Sequence, residues 1–422
     1  MDTPQRTLSA LSIDLHGRHI GTILRLAGDR QVFAFEQSYI DDPQRPTLSL
    51  SFKGQTGELR TDLQQVTRRV PAFFSNLLPE GHLRSYLAEQ AGVNPEREFF
   101  LLAALGEDLA GAVTAIPRDA DGQNRSNEST LDEKNRHSPA DLRTRRTLRF
   151  SLAGVQLKFS AIMESHGGLT IPAQGIGGSW IVKLPSMNFA SVSENEFVML
   201  DLARSVGIVV PRNHLVPVKD IEGLPPDASR LPGNALAVER FDRSPDGTRI
   251  HMEDFAQVFG LFPENKYKSV SYANIARVLW AETGEVGTYE FIRRITFSVL
   301  IGNADMHLKN WSLLYPDTRS PVLSPAYDFV STLPYIPNDT LALTLGGSRD
   351  LTQISFHQIR RLTDKAGLPM APVLRIVRET TEATVEAWRN LPTKHLLPAA
   401  IREVISAQID KAASKTRTAL GE

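Results

Sequence analysis

Asp305, Asn310 and Asp328 are the side chains of this sequence whose types and spacing best suit chemistry: an aspartate, an asparagine five residues on, and a second aspartate beyond a turn-rich segment. Phosphoryl transfer asks for such a set, because a protein need only aim a carboxylate at the attacking hydroxyl and offer oxygen ligands to the Mg²⁺ on the phosphates. Asp305 would be the base, and Asn310 with Asp328 the metal ligands. The D-x-x-x-x-N string also arises by chance. Asp305 is then a helix-terminal turn residue, Asn310 a strand-start cap and Asp328 a surface turn. The flanks supply elements for either reading, and the rest of the chain must decide. Phe291, Ile292, Ile295 and Val299 recur at helical spacing before a stop at Gly302, and Trp311 to Tyr315 with Val322-Leu323 bracket the turn-rich Pro316 to Pro321 as a hairpin.

Phosphates also need a cation. Lys183 stands in the strand-like Ser179 to Leu184, on the face opposite Trp180, Val182 and Leu184. It is either an edge-strand gatekeeper or a buried lysine with a partner. A helix follows, with Ser191 and Glu194 spaced as a capping box. Glu196 then falls on its apolar stripe with Leu200 and Ala203, so a Lys183–Glu196 ion pair would satisfy both; otherwise Glu196 merely favours the helix start. Arg149 to Ser160 has small residues and one glycine ahead of a strand, which would let backbone N–H groups approach phosphates, but it matches neither common phosphate-loop pattern. The strand ending Val238-Glu239-Arg240-Phe241 would serve as a connection beside adenine, or is a plain strand before a charged turn. His16 and His19 read as solvated turn residues, Gly175 to Gly178 as a loop, and no G-x-S-x-G elbow is present.

These residues need elements to hold them. Leu8 to Ser51 alternates like strands and hairpins, Leu83 to Ala91 and Glu98 to Leu105 read as helices, strands return from about 150 to 243, and the pattern is mainly helical after about 252. Between lies a solvated connection, 118 to 149, with eight Lys or Arg and six Asp or Glu. The expected organisation is an amino-terminal unit (1–117), that connection (118–149), an upper lobe (150–250) and a helical lower lobe (251–422). The 422 residues suffice for two to three domains. With 47 Lys and Arg against 48 Asp and Glu the chain is no wholesale nucleic-acid binder. Its lack of cysteine excludes disulfides, thiolate metal sites and a thiol nucleophile, and fits a reducing cytoplasm. Met1 to Arg6 has no apolar signal core and Phe99 to Ile116 is broken by Gly106-Glu107-Asp108, so no membrane role is expected.

Nine segments in order resemble the HipA family of bacterial toxin kinases: Phe73 to Glu80, Gly111 to Thr114, Ser151 to Lys158, Ile181 to Pro185, Asn195 to Phe197, Ala237 to Arg243, Glu253-Asp254 with Phe259 to Leu261, Leu300 to Asn310, and Pro325 to Asp328. The resemblance implies an α+β, two-lobed protein-kinase-like fold with a small amino-terminal α+β subdomain and a mainly helical carboxy-terminal lobe. It also implies ATP and Mg²⁺ as cofactors, an aminoacyl-tRNA synthetase as substrate, growth arrest as outcome, and a HipB-like helix-turn-helix antitoxin that brings the operator DNA. By position it makes Ser151 the autophosphorylation site, Ala153, Gly154, Val155, Gln156, Leu157 and Lys158 the phosphate loop, and Lys183 the phosphate lysine. Glu239, Arg240 and Phe241 become the adenine hinge, and His307 and Tyr327 nucleotide neighbours; Asp305 is the base, with Asn310 and Asp328 on the metal. Thr344 to Gln353 departs from the pattern with Arg349 as its only cation, which leaves DNA contact to the antitoxin. Two rival readings are a corepressor with incidental kinase activity and a small-molecule kinase.

Overall fold

Alternation along the first residues gives what an antiparallel sheet with one buried face requires. In the computed structural model, which describes residues 8–54, 56–118, 158–163, 169–171 and 178–421, β1 (Ala10–Leu15), β2 (Arg18–Leu26), β3 (Arg30–Phe35), β4 (Val66–Thr67) and β5 (Val113–Arg118) pair in the order β4-β3-β2-β1-β5. Leu11, Ile13 and Leu15 point inward and are fully buried. α1 (Gly81–Ala91) and α2 (Glu98–Leu105) complete this unit. Ser151 and Ala153 to Leu157, and the connection from 119 onward, lie outside the described residues.

A six-stranded sheet follows, ordered β10-β7-β6-β8-β11-β9. Its strands are β6 (Lys158–Met163), β7 (Leu169–Thr170), β8 (Trp180–Lys183), β9 (Asn213–Pro217), β10 (Ile221–Glu222) and β11 (Asn234–Glu239). β8 lies inside the sheet, so Lys183 is no edge gatekeeper. α3 (Val192–Ser205) carries Glu196. Its expected capping box does not form: Ser191 itself is left-handed (φ 55°), which is not the extended backbone an N-cap side chain needs, and Glu194 instead accepts a hydrogen bond from Asn234 (2.9 Å).

The lower lobe opens with β12 (His251–Asp254), which joins β13 (Ser312–Tyr315) and β14 (Val322–Leu323) in a small sheet. Its longer helices are α4 (Tyr272–Ile301, broken at Gly284), α5 (Phe356–Ala366), α6 (Met370–Asn390) and α7 (Ala399–Ala419). One apolar core runs from Leu11, Phe33 and Phe74 through Leu102 to Phe159, Val182 and Ala237, so the amino-terminal unit and the upper sheet share an interior. A second gathers α3 with the lower lobe.

His16 is not solvated. The β1–β2 turn docks against β12, where the His16 ring lies 6.2 Å from that of His251, and its Nε2 is buried. Burial pulls its pKa down against a backbone hydrogen bond at Arg249.

Candidate active site

The site is built where α4 stops. Gly302 takes the left-handed conformation (φ 70°), its N–H returns to Val299 O (3.3 Å), and the chain turns into the segment 303–311. A Cβ at Gly302 would come within 2.7 Å of Leu333 and 3.1 Å of Gln408. Asn303 Oδ1 then accepts the Asp305 N–H (3.1 Å), and Ala304 O accepts the Ala342 N–H (2.8 Å). Asn310 Nδ2 donates to Asp305 O (2.7 Å), which closes the loop on itself. Beneath it Trp311 packs edge-on to Phe291 at 4.5 Å, and the Tyr272 hydroxyl donates to Met306 O (3.1 Å). The spacing of five therefore serves geometry first: Asn310 holds the backbone of the residue that would be the base.

Asp305 presents an exposed carboxylate on this otherwise buried segment. Desolvation by its crowded surroundings pushes its pKa up, while the hydrogen bond from the Tyr267 hydroxyl to Oδ1 (2.7 Å) and the nearby Lys266 pull it down. His307 is buried against the Tyr267 ring at 5.0 Å. Burial, with Lys266 and Lys309 nearby, lowers its pKa to about 3, so its imidazole is neutral.

Across the cleft, β6 and β8 run antiparallel with Lys158 opposite Lys183. Two facing ammonium groups are unfavourable unless anions separate them. Asp328 supplies that charge. It contacts Lys183 directly and lies 3.7 Å from Lys158, and Glu196 binds Lys183 from α3. Burial would raise the Asp328 pKa, but Lys158 and Lys183 outweigh it and hold the carboxyl well below its usual range. For Lys183 the same balance runs the other way: burial opposes its charge, and Asp328 and Glu196 keep it protonated. Asp328 also has positive φ (56°), a costly backbone for a residue other than glycine and a frequent mark of functional sites.

The side chains of Glu239, Arg240 and Phe241, implied as an adenine hinge, have different partners. The Phe241 ring stands 5.6 Å from that of Tyr327, whose hydroxyl donates to Lys309 O (2.9 Å). Glu239 is bound by Arg212 (2.7 Å). The Arg240 side chain turns away from the cleft: it is bidentate to Asp242 (2.9 Å twice) and reaches Asp108 (3.3 Å) in the amino-terminal unit. Its guanidinium belongs to a clamp, since a fully buried cation must sit among carboxylates. Arg243 joins Asp108 (2.9 Å), and Gly111 N–H donates to Asp242 (2.8 Å). Gly111 has φ 72°, and a Cβ there would meet Met252 N at 2.7 Å. Burial raises the Asp242 pKa, but Arg240, Arg243 and that N–H bring it to about 2. Tyr267, Lys266, Lys309 and Asp108 were not marked by sequence. Two of them had a signal: Lys309 as a lysine between Leu308 and the Asn310-Trp311 pair, and Asp108 as a carboxylate breaking the apolar Phe99 to Ile116.

For a metal, the oxygen donors of Asn310 and Asp328 suit a hard cation such as Mg²⁺. Asn310 spends its amide N–H on Asp305 O, which leaves Oδ1 as its ligand atom. The buried His307 Nδ1, without a hydrogen-bond partner among the described residues, fits a site that a polar ligand completes. Among the described residues no three acidic or histidine side chains form a metal cluster, and no helix is long and apolar enough to cross a membrane.

Comparison with known proteins identifies the family. The pattern of the HipA-like C-terminal domain matches residues 150–388, and that of the HipA N-terminal domain residues 11–116. This chain belongs to the HipA family of kinase toxins. The Sinorhizobium fredii protein Y4dM is 49% identical over 392 residues, covering 91% of this chain and 93% of its own. The serine/threonine-protein kinase toxin HipA of Shewanella oneidensis is 27% identical over 422 residues, covering 92% and 91%. The solved complex of Shewanella oneidensis HipA, HipB and operator DNA contains a chain that superposes with a TM-score of 0.71 at 22% identity, over 97% of this chain and 99% of that one. The HipA-family fold is thus the two-lobed α+β, kinase-like fold seen here.

Proposed function

We propose that this HipA-family chain is an ATP- and Mg²⁺-dependent serine/threonine protein kinase of the cytoplasm, the toxin of a toxin–antitoxin pair, with an aminoacyl-tRNA synthetase as its substrate and a HipB-like antitoxin as its restraint. The observation that carries the phosphoryl-transfer reading is Asp328, a strained, ionised carboxylate set between Lys158 and Lys183 and opposite the Asn310-braced Asp305. In this reading Asp305 orients the target hydroxyl and takes its proton as the new O–P bond forms and the bond from the γ-phosphorus to the bridging oxygen breaks, releasing ADP. Lys183 and Lys158 face charge on the phosphate oxygens, and Asn310 with Asp328 hold the metal. Bound Mg²⁺ would supply charge neutralisation on the phosphates. Phe241 and Tyr327 offer aromatic faces for the base, and Ser151 is the self-modification site.

The relatives support the partners: one is named a HipA toxin, and a HipA was solved with HipB and operator DNA. Operator contact is assigned to the antitoxin, since Arg349, the one cation of Thr344 to Gln353, donates to Tyr267 O (3.1 Å) within this chain. The test is transfer of labelled phosphate from ATP to a synthetase in cell extract. Asp305→Asn is expected to abolish transfer while keeping nucleotide affinity, and Asp328→Ala to lose Mg·ATP affinity in calorimetric titration. Equal loss of affinity in both would refute the division of roles, and transfer only to a small metabolite would favour the small-molecule kinase.

A further inference from the structure

Phe73 to Glu80, one of the segments that carry the family resemblance, has no part in phosphoryl transfer as described so far. One backbone carbonyl and one side chain pin it to the lower lobe. Gln257 Nε2 donates to Phe73 O (3.0 Å), and Asn76 Nδ2 donates to Leu261 O (2.7 Å). Two of its side chains then reach the segment that carries Asp305 and Asn310. Lys309, beside Asn310, is buried, and its Nζ does not face the cleft's phosphate side. It donates to Asn76 O (2.8 Å) and Asn76 Oδ1 (3.1 Å), and lies 3.2 Å from Asp254 and 3.6 Å from Glu80. Glu80 also accepts from Lys266 Nζ (2.8 Å). The Lys266 carbonyl takes the Leu308 N–H (3.2 Å), and the next residue, Tyr267, donates to the Asp305 carboxylate (2.7 Å).

A buried ammonium must find compensating oxygens. Three of the four nearest to Lys309 come from the amino-terminal unit. A loop that swung Asp305 or Asn310 out of line would pull Lys309 from that socket, so the socket selects one loop conformation. We propose that Asn76 and Glu80 are positioning residues for phosphoryl transfer: the amino-terminal unit completes the active site by fixing the catalytic loop through Lys309 and Lys266. The inference rests on Asp305 and Asn310 being the transfer residues.

The test uses the full chain with Glu80→Gln, which keeps side-chain size, and Asn76→Ala. Each is expected to lower kcat about tenfold or more with nucleotide affinity within about twofold of the parent. Amide exchange over residues 303–312 should quicken in both. Lys309→Met should show the same loss, and adding Asn76→Ala to it should cost nothing more. A joint that merely holds the lobes together would lower the melting temperature and leave kcat unchanged below it. Folded variants with kcat within about twofold of the parent overturn the proposal, as does a multiplicative loss in the double variant. Asp305→Asn run alongside separates the two claims. An inactive Asp305→Asn beside a fully active Glu80→Gln removes only the positioning role, whereas an active Asp305→Asn removes the kinase reading beneath it.

Discussion

Lys183 binds two carboxylates with different duties. Glu196 is almost wholly buried; burial raises its pKa, Lys183 works against that rise, and Asp328 adds to it. Asp328 is a quarter exposed and faces the cleft. Glu196 therefore anchors the lysine, while Asp328 binds it and also presents a carboxylate to the cleft. Removing either member of the buried Lys183–Glu196 pair leaves the other charge uncompensated, at a cost on the order of 3–5 kcal/mol. Lys183→Met and Glu196→Leu are each expected to destabilise by about that amount, and the double variant by much less than their sum. Denaturant unfolding of the four proteins measures the coupling. Additive losses would show that the lysine draws its stability from Asp328 alone.

At the scale of elements, the loop after α4 depends on its first residue. Gly302→Ala puts a Cβ into left-handed backbone and 2.7 Å from Leu333, so a loss of about 2 kcal/mol or more is expected, together with slower transfer as the loop shifts. Chemical denaturation and single-turnover kinetics test both. This helix, its stop and the following hairpin were legible in sequence because each rests on local periodicity or one turn residue. The Lys183–Glu196 pair was legible for another local reason, since a carboxylate on an apolar stripe demands a partner. The role of the Arg240 side chain was not, because its partner Asp108 lies 132 residues away and leaves no mark near position 240. Ser191 misled because residue type reports a capacity to cap and says nothing about φ.

Across the whole molecule the lower lobe and the amino-terminal unit meet on buried polar groups that respond to acidity. Glu253 in β12 accepts from Ser49 Oγ (2.5 Å), Leu50 N (3.0 Å) and Tyr315 Oη (2.5 Å); burial outweighs these bonds and raises its pKa from 4.5 to about 7. The folded state then holds a proton that the unfolded chain has lost, so this group's contribution to stability falls as pH rises from 4.5 to about 7. His251, two residues earlier, bonds to Leu48 O (2.8 Å) and is lowered by burial from 6.5 to about 4. Its contribution is lost as pH falls through that range, so the two oppose. Glu253→Gln removes one side, and its stability relative to the parent is expected to improve as pH goes from about 5 to about 7.5. Thermal melts at both ends check this; a constant gap would mean that Glu253 is ionised throughout. The Arg240 clamp has a further consequence, in the order of synthesis. Asp108 leaves the ribosome 135 residues before Arg243, a wait of roughly 7 to 27 s at about 5–20 residues per second. During that time a carboxylate destined for complete burial lacks both arginines of its clamp, which closes on the amino-terminal unit only once residues 240–243 have been made.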